Sequence, residues 1–135
     1  MARNTEIENI FGQFEKAFGR LTELTQTAEK SEVKRDATIK RFEFTYELLW
    51  KMFKRIATVE KLEAFSPKSS FQAAFQLGLI ENEQLFLDII DARNKTSHVY
   101  SELNANEIYD FIQDHAVNAF KQVAAKIKEK YIIEI

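Results

Sequence analysis

Apolar residues recur every three or four positions through four long segments of this chain, and this spacing constrains the fold more than any other feature. The longest segment, at about residues 33–59, carries its apolar side chains in alternating steps of three and four: Ile39, Phe42, Tyr46, Leu49, Phe53 and Ile56. An α-helix has about 3.6 residues per turn, so these side chains lie on one helical face. Leu48, Trp50 and Met52 widen the apolar surface, which predicts that this helix packs against more than one neighbour.

The same spacing predicts three more long helices, at about residues 4–27, 83–97 and 104–130. Asn104, with Glu107 three residues later, has the form of a capping box, so the last helix is expected to begin at Asn104. His115 falls on the buried stripe of that helix and is expected to lie at the edge of the core.

A short helix is expected after Ser66 and Pro67, because serine caps helix N-termini and proline is well accommodated in the first turn. Gly78 fits just past its end, where a left-handed residue is needed, and Ser31 is a candidate N-cap for the long second helix. Three glycines and one proline are too few for the turns of a β-sandwich or barrel. The prediction is one all-α domain over residues 1–135, an antiparallel up-down bundle of four long helices and one short helix.

Composition excludes several kinds of functional site. The chain has no cysteine, which rules out disulfides and thiolate metal sites, and with two histidines a multi-histidine zinc site is not expected either. We therefore expect no metal and no cofactor. A formal net charge of -2 argues against a general nucleic-acid coat protein but leaves room for a small RNA site. The N-terminal residues contain no long apolar run, so we expect neither a signal peptide nor a membrane span, and a cytoplasmic protein.

A dense group of polar residues ends the predicted fourth helix: Asp91, Arg93, Asn94, Lys95, Thr96, Ser97, His98 and Tyr100. Arg93 and Tyr100 are seven residues apart and share one face of a continuing helix. His98 is five residues from Arg93 and lies about 140° around the helix, so these two side chains diverge. They would converge if the helix loosened near Ser97 or if a second copy of the chain contributed its own group. The alternative is an ordinary helix end, where basic side chains interact favourably with the C-terminal dipole.

A second polar group lies along the long helix: Lys40, Arg41, Glu43, Glu47, Lys51 and Lys54. Glu43 and Glu47 are four residues apart on one face, and Glu47 with Lys51 has the spacing of a favourable ion pair. One interpretation is a solvated surface with ion pairs. The other is that Arg41, Glu43 and Glu47 rim a functional cleft.

Four segments together resemble HEPN domains, in the branch called nucleotidyltransferase substrate-binding proteins. Residues 93–100, RNKTSHVY, have the form R-x4-H-x-Y with a polar residue directly after the arginine. Three more segments are similar to the same branch: KRFEFTYELLWK at 40–51, Ser66-Pro67 followed by FQLGLI at 75–80, and Asn104 to Tyr109. The resemblance covers nearly the whole chain, from about residue 5 to about residue 125.

The resemblance implies a helical bundle that forms a homodimer, and a partner, a minimal nucleotidyltransferase encoded nearby. Many such pairs look like toxin–antitoxin systems, in which the HEPN protein is a metal-independent ribonuclease and the transferase silences it by adenylylating the motif tyrosine. Carried over, Arg93 would bind phosphate and stabilise negative charge, and His98 would act as general acid or base. Asn94 would orient the site, and Tyr100 would be the adenylylated residue.

The resemblance also favours the cleft interpretation for Arg41, Glu43 and Glu47. Two functional hypotheses use the same residues. One is a ribonuclease with Arg93 and His98 in a shared dimer cleft; the other is a noncatalytic subunit that docks the transferase and binds nucleotide or RNA for it. The sequence leaves both open, although the slight negative net charge favours docking to a protein over strong affinity for RNA. A plain bundle with no site is disfavoured by the polar group that ends the fourth helix.

Overall fold

A computed structural model describes residues 4–98 and 101–132, and every regular element within these ranges is helical. The elements are α1 (Thr5–Gln26), α2 (Glu32–Val59), α3 (Pro67–Gln76), α4 (Glu83–Thr96), α5 (Glu102–Phe111) and α6 (Val117–Tyr131), with a π-helical turn at Ile112–Ala116 between the last two. Since α5, the π turn and α6 form one continuous helix, the prediction of four long helices and one short helix is confirmed. No helix in the described part of the chain combines the length and the apolar character needed to cross a membrane.

Three helix ends lie where local chemistry predicts them. The Ser31 hydroxyl accepts a hydrogen bond from the backbone N–H of Lys34 and caps α2. At α3, Ser66 Oγ accepts from the N–H of Ser69 at 3.1 Å, and Ser69 Oγ accepts from the N–H of Ser66 at 2.9 Å. Gly78, just past α3, has a φ of 78°, a conformation that costs glycine little because it lacks a Cβ.

The predicted start of the last long helix at Asn104 is wrong by two residues. The helix begins at Glu102, and Ser101 caps it in an extended conformation, with its hydroxyl accepting from the N–H of Asn104 at 3.2 Å. Both Ser101 and Asn104 are good N-cap residues, and the upstream serine forms the cap. Asn104 therefore lies inside the first turn of α5.

The π turn explains how the last long helix keeps one side in the core. Ile108, Ile112, Ala116 and Phe120 are all buried at steps of four residues. On an α-helix each step of four drifts by about 40° around the axis, which would carry the stripe out of the core. In the π turn the N–H of Val117 donates to the carbonyl of Ile112, five residues back, and the extra residue corrects this drift.

The core is built around α2, which packs against α1, α3, α4 and α5. Its buried Phe42 stacks on Phe120 of α6 with ring centroids 6.0 Å apart, and Tyr46 meets Phe71 of α3 edge to face at 5.6 Å. The prediction that this helix has more than one neighbour is therefore confirmed. One side of α2 remains at the surface, and this side carries the second polar group.

Candidate functional site

Arg93 of α4 lies in a mixed cluster that joins α4 to α2. We call it the Arg93 cluster and define it by its members: Glu43, Tyr46, Glu47, Trp50, Arg93 and Thr96. The four α2 residues recur at steps of three, one and three, so they follow one side of that helix. The cluster therefore assembles the arginine of one predicted polar group with the acidic residues of the other.

Two carboxylates compensate the charge of Arg93. Its Nη1 lies 3.6 Å from Glu43 Oε2, and its Nη2 lies 3.7 Å from Glu47 Oε1. Both distances exceed the 2.7–3.2 Å usual for N–H···O hydrogen bonds, so these are ion pairs without close hydrogen bonding. The side chains of Arg93 and Glu43 are 23% and 24% exposed, which screens their attraction less than full exposure would.

Further contacts fix the orientation of the cluster. Arg93 Nη1 donates to Thr96 Oγ1 at 3.0 Å, and that hydroxyl donates to the carbonyl of Arg93 at 2.6 Å. Trp50 Nε1 donates to Glu47 Oε2 at 3.1 Å. The guanidinium lies over the Tyr46 ring, 6.0 Å from its centroid. Arg93 Nε is buried and has no hydrogen-bond partner among the described residues, so the guanidinium retains donor capacity.

Tyr46 is the titratable group in the cluster whose pKa departs clearly from its ordinary value. Burial raises the pKa of Tyr46 to about 12; the negative charge of Glu47 adds to the increase, and Arg93 opposes it. Tyr46 is therefore a neutral phenol at physiological pH. A phenol with this pKa does not exchange protons near neutral pH, and its ring presents an aromatic face to the Arg93 guanidinium.

His98 lies on the other side of the α4 end, at an open groove of about 610 Å³ between α4 and α5. Asn94, Lys95 and His98 line this α4–α5 groove, and the buried side chains of Ala92 and Ile108 form its base. Arg93 is not among its lining residues. The divergence predicted for Arg93 and His98 is therefore present in a single chain.

The remaining predicted site residues are placed as follows. Glu43 and Glu47 meet Arg93, so they are more than a solvated surface. Arg41 instead packs its guanidinium over Phe44, 5.9 Å from the ring centroid. Tyr100 lies outside the described residues. No group of three or more histidine or acidic residues in residues 4–98 and 101–132 is arranged to hold a metal ion.

Thr96 was predicted to belong to the polar group that ends α4 but was given no role, and Trp50 was assigned to the apolar surface of α2. Both could have been found from spacing, because Thr96 is three residues after Arg93 and Trp50 is three residues after Glu47. Residues three apart on a helix are neighbours, and each of these pairs is joined by a hydrogen bond.

Comparison with known proteins identifies relatives along most of the chain. Residues 9–129 match the family described as nucleotidyltransferase substrate binding protein like. A probable ribonuclease HepT from Haemophilus influenzae is 33% identical over 86 residues, which are 60% of this chain and 59% of that protein. The chain thus matches that curated relative over about three-fifths of the relative's length.

Two solved structures are similar to most of the bundle. A Thermus thermophilus protein is 34% identical with a TM-score of 0.78, covering 85% of this chain and 98% of that one. A tri-AMPylated Shewanella oneidensis HEPN toxin, solved in complex with the MNT antitoxin, is 21% identical with a TM-score of 0.75, covering 94% of this chain and 99% of the toxin. The second likeness confirms the predicted HEPN-like fold.

Proposed function

The chain belongs to the family of nucleotidyltransferase substrate binding-like proteins, and from this premise we propose that it is the HEPN-type, toxin-like partner of a minimal nucleotidyltransferase. We extend the proposal to a metal-independent endoribonuclease activity in the cleft of a homodimer. The Shewanella toxin of the same fold was solved with its MNT antitoxin, and the Haemophilus relative is named a probable ribonuclease. Both names support the proposal.

The observation that carries the ribonuclease proposal is that Arg93 and His98 lie on different sides of the end of α4, in different surroundings. Arg93 is anchored on one side by an ion-pair network, whereas His98 is exposed at an open groove on the other side. Cleavage of RNA without a metal needs a cation that stays charged beside phosphate, and a group that transfers protons near neutral pH. Arginine and histidine supply these two functions. In a dimer, one subunit's arginine and the other's histidine could share a cleft.

The proposed reaction is a transesterification. The His98 imidazole accepts the proton of a ribose 2′-hydroxyl, and the oxygen attacks the adjacent phosphorus. The bond from phosphorus to the 5′-oxygen breaks, and this oxygen takes a proton from water, while the imidazolium returns its proton to the resulting hydroxide. Arg93 stabilises the negative charge on the phosphate oxygens, and a guanidinium held in place needs little reorganisation to do so. Asn94, beside His98 in the groove, would orient the RNA.

Regulation is proposed to act through Tyr100 and the transferase. The Shewanella toxin carries AMP groups in its complex, and Tyr100 is the tyrosine of the sequence motif in this chain. An adenylyl group on Tyr100 would bring a phosphate beside the motif and compete with RNA for Arg93.

A noncatalytic binding subunit is the second candidate, and one observation favours it. Glu43 and Glu47 compensate the charge of Arg93 in the single chain, which weakens its attraction for phosphate. In that case the same surface would dock the transferase and hold nucleotide or RNA for it.

A cleavage assay on total cellular RNA separates the two candidates. We expect His98→Ala to lower the rate by about 10²–10⁴-fold, the usual contribution of a proton-transferring group. Arg93→Ala should lower it comparably, and EDTA should have no effect. His115→Ala is the matched control, because His115 is an exposed histidine in the π turn and does not line the α4–α5 groove.

The outcomes are distinct. Equal rates for the wild type and His98→Ala would eliminate the ribonuclease mechanism. If neither the wild type nor any variant cleaves RNA, and the chain still binds the purified transferase tightly, the result would favour the binding subunit. Failure of the two purified proteins to associate, with or without nucleotide, would contradict the proposed partner.

A further inference from the structure

The outer face of α2 carries an exposed aromatic side chain in the middle of the helix. Phe44 is 51% exposed. Lys40 Nζ lies 5.6 Å from the centroid of its ring, and the Arg41 guanidinium lies 5.9 Å from it. An exposed phenylalanine between two cations can bind a partner that brings both apolar surface and negative charge.

Along α2, two charged residues before Phe44 each have a residue of opposite charge at a similar distance after it. Lys40 is four residues before Phe44, and Glu47 is three residues after it. Viewed down the helix axis, Lys40 is displaced from Phe44 by about 40° and Glu47 by about 60°, both in the same direction. This side faces α4, because Glu47 contacts Arg93. Asp36 is eight residues before Phe44, and Lys51 is seven residues after it. They are displaced from Phe44 around the helix axis in that same direction, by about 80° and about 20°.

These positions make the face complementary to itself. A two-fold axis through Phe44 that pairs α2 with an antiparallel copy brings Lys40 opposite the other chain's Glu47, and Glu47 opposite its Lys40. Asp36 and Lys51 are matched in the same way one turn farther out. Each of these contacts joins a cation to a carboxylate, and the two phenylalanines meet at the axis. This matching in pairs about one residue favours a second copy of the same helix as the partner.

We infer that the α2 face centred on Phe44 binds the same face of a second copy, so that each chain's Lys40 reaches Glu47 in the partner's Arg93 cluster. Both Arg93 clusters then lie on the same side of the paired helices, and the axis passes between them through one cleft. The inference names the dimer contact of the proposed ribonuclease and rests on that proposed function for the role of the cleft.

Pairing also changes the surroundings of Arg93. In one chain Glu47 lies 3.7 Å from Arg93 and helps to neutralise it. In the dimer, Lys40 of the partner subunit adds a second cation beside the same carboxylate. Glu47 then compensates Arg93 less, and the guanidinium gains attraction for a phosphate in the cleft. The site is therefore complete only when two copies meet.

The test is the dissociation constant of the dimer, measured by sedimentation on the full chain without RNA. The wild type should dimerise, and Phe44→Asp should abolish the dimer. Lys40→Glu and Glu47→Lys each turn two attractive contacts into two repulsive ones, and each should raise the constant about tenfold or more. Lys121→Glu, the same charge reversal at an exposed position of α6, should leave it unchanged.

Mixing the two single variants gives the decisive result. A heterodimer of the Lys40→Glu chain with the Glu47→Lys chain has one original contact and one reversed contact, both attractive. Equal mixing should therefore restore a dissociation constant near that of the wild type, which neither variant reaches alone. Asp36→Lys mixed with Lys51→Glu repeats the test without touching the Arg93 cluster, in case Glu47→Lys disturbs folding.

A wild-type monomer at micromolar concentration, a dimer indifferent to Phe44→Asp, or no recovery in either mixture would overturn the inference. So would loss of transferase binding by Phe44→Asp with an unchanged dimer, which would assign the face to the transferase. Recovery in the mixtures supports the interface even if RNA is never cleaved. Cleavage by chains whose dimerisation ignores these variants would instead reject the interface and leave the ribonuclease proposal intact.

Discussion

Arg93 is the residue through which α4 and α2 share the candidate site. Its guanidinium is the cation between Glu43 and Glu47, which lie four residues apart on one helix. Without that cation, two partly buried carboxylates would face each other with less compensation, and like charges at this spacing destabilise a helix. Arg93 therefore contributes to stability as well as to any chemistry.

Arg93→Met should lower the free energy of unfolding by about 1–3 kcal/mol, because partly buried carboxylates lose their counterion while the apolar stem of the side chain is kept. Lys95→Met is the matched control, since Lys95 pairs with Asp91 at an exposed position two residues away. It should leave stability unchanged. Urea denaturation of the three chains measures this, and equal stability of the two variants would contradict the cluster's structural role.

The free energy of unfolding should decrease at alkaline pH, because two tyrosines have a higher pKa in the folded chain than in the unfolded chain. Burial raises the pKa of both Tyr46 and Tyr131 to about 12, with a hydrogen bond from Tyr131 to Glu60 adding to the second increase. Tyrosine in an unfolded chain titrates near about 10. Between these values the unfolded chain loses protons that the folded chain retains, so the free energy of unfolding falls as pH rises from about 10 to about 12.

The measurement is the melting temperature at about pH 9 and about pH 11, in the wild type, Tyr46→Phe and Tyr131→Phe. Each substitution removes one phenol with a raised pKa, so the melting temperature should fall less between the two pH values than it does in the wild type. A decline in Tyr46→Phe as steep as in the wild type would show that this phenol does not contribute.

Helical spacing predicted which site residues share a face, but not which helix they meet. The separation of Arg93 from His98 and the shared side of Glu43 and Glu47 follow from about 100° per residue. That Arg93 compensates those carboxylates is a contact between segments about 50 residues apart in sequence, and no local pattern specifies it. Only the packing of α4 against α2 supplies this information.

At the scale of elements, helices with a regular stripe were predictable and their irregularities were not. The bounds of α2 and α3 followed from spacing and from the caps at Ser31 and Ser66. The last helix was harder, because Ser101 and Asn104 are both good caps and because steps of four residues do not reveal a π turn. His115 was expected at the edge of the core, but the structure exposes it within that turn.

Deleting Gln113 should be tolerated. Gln113 is exposed within the π turn, and removing one residue there converts it to an ordinary α-helical turn with both flanking stripes still in the core. The free energy of unfolding should stay within about 1–2 kcal/mol of the wild type.

Deleting Lys121 is the matched control, since it removes one exposed residue from the regular helix α6. All later residues rotate by about 100°, and Val123 and Ile127 leave the core. This should cost about 3–6 kcal/mol, because burying each such side chain contributes about 1.5–3 kcal/mol. Equal losses for the two deletions, measured by thermal and urea unfolding, would show that the π turn does not absorb a residue.

At the scale of the whole molecule, α2 links stability, the candidate site and the proposed dimer contact. Phe42 and Phe53 anchor one side of this helix in the core. Glu43 and Glu47 on a second side meet Arg93, and Phe44 on a third side is exposed. Because one helix carries all three sides, the proposed contact at Phe44 lies beside the residues that compensate Arg93.

The divergence of Arg93 and His98 within one chain leads to a prediction about which subunit supplies each group. If a working site combines Arg93 of one subunit with His98 of the other, chains carrying Arg93→Ala and chains carrying His98→Ala should complement each other. Half of the randomly mixed dimers contain both kinds of chain, and each of these has one intact site out of two. The mixture should therefore recover about one quarter of the wild-type cleavage rate, although each variant alone is inactive. If Arg93 and His98 of the same chain work together, no mixed dimer has a complete site and the rate stays at the level of the single variants. The assay is RNA cleavage after denaturing and refolding the mixed chains, with native mass spectrometry counting the mixed dimers.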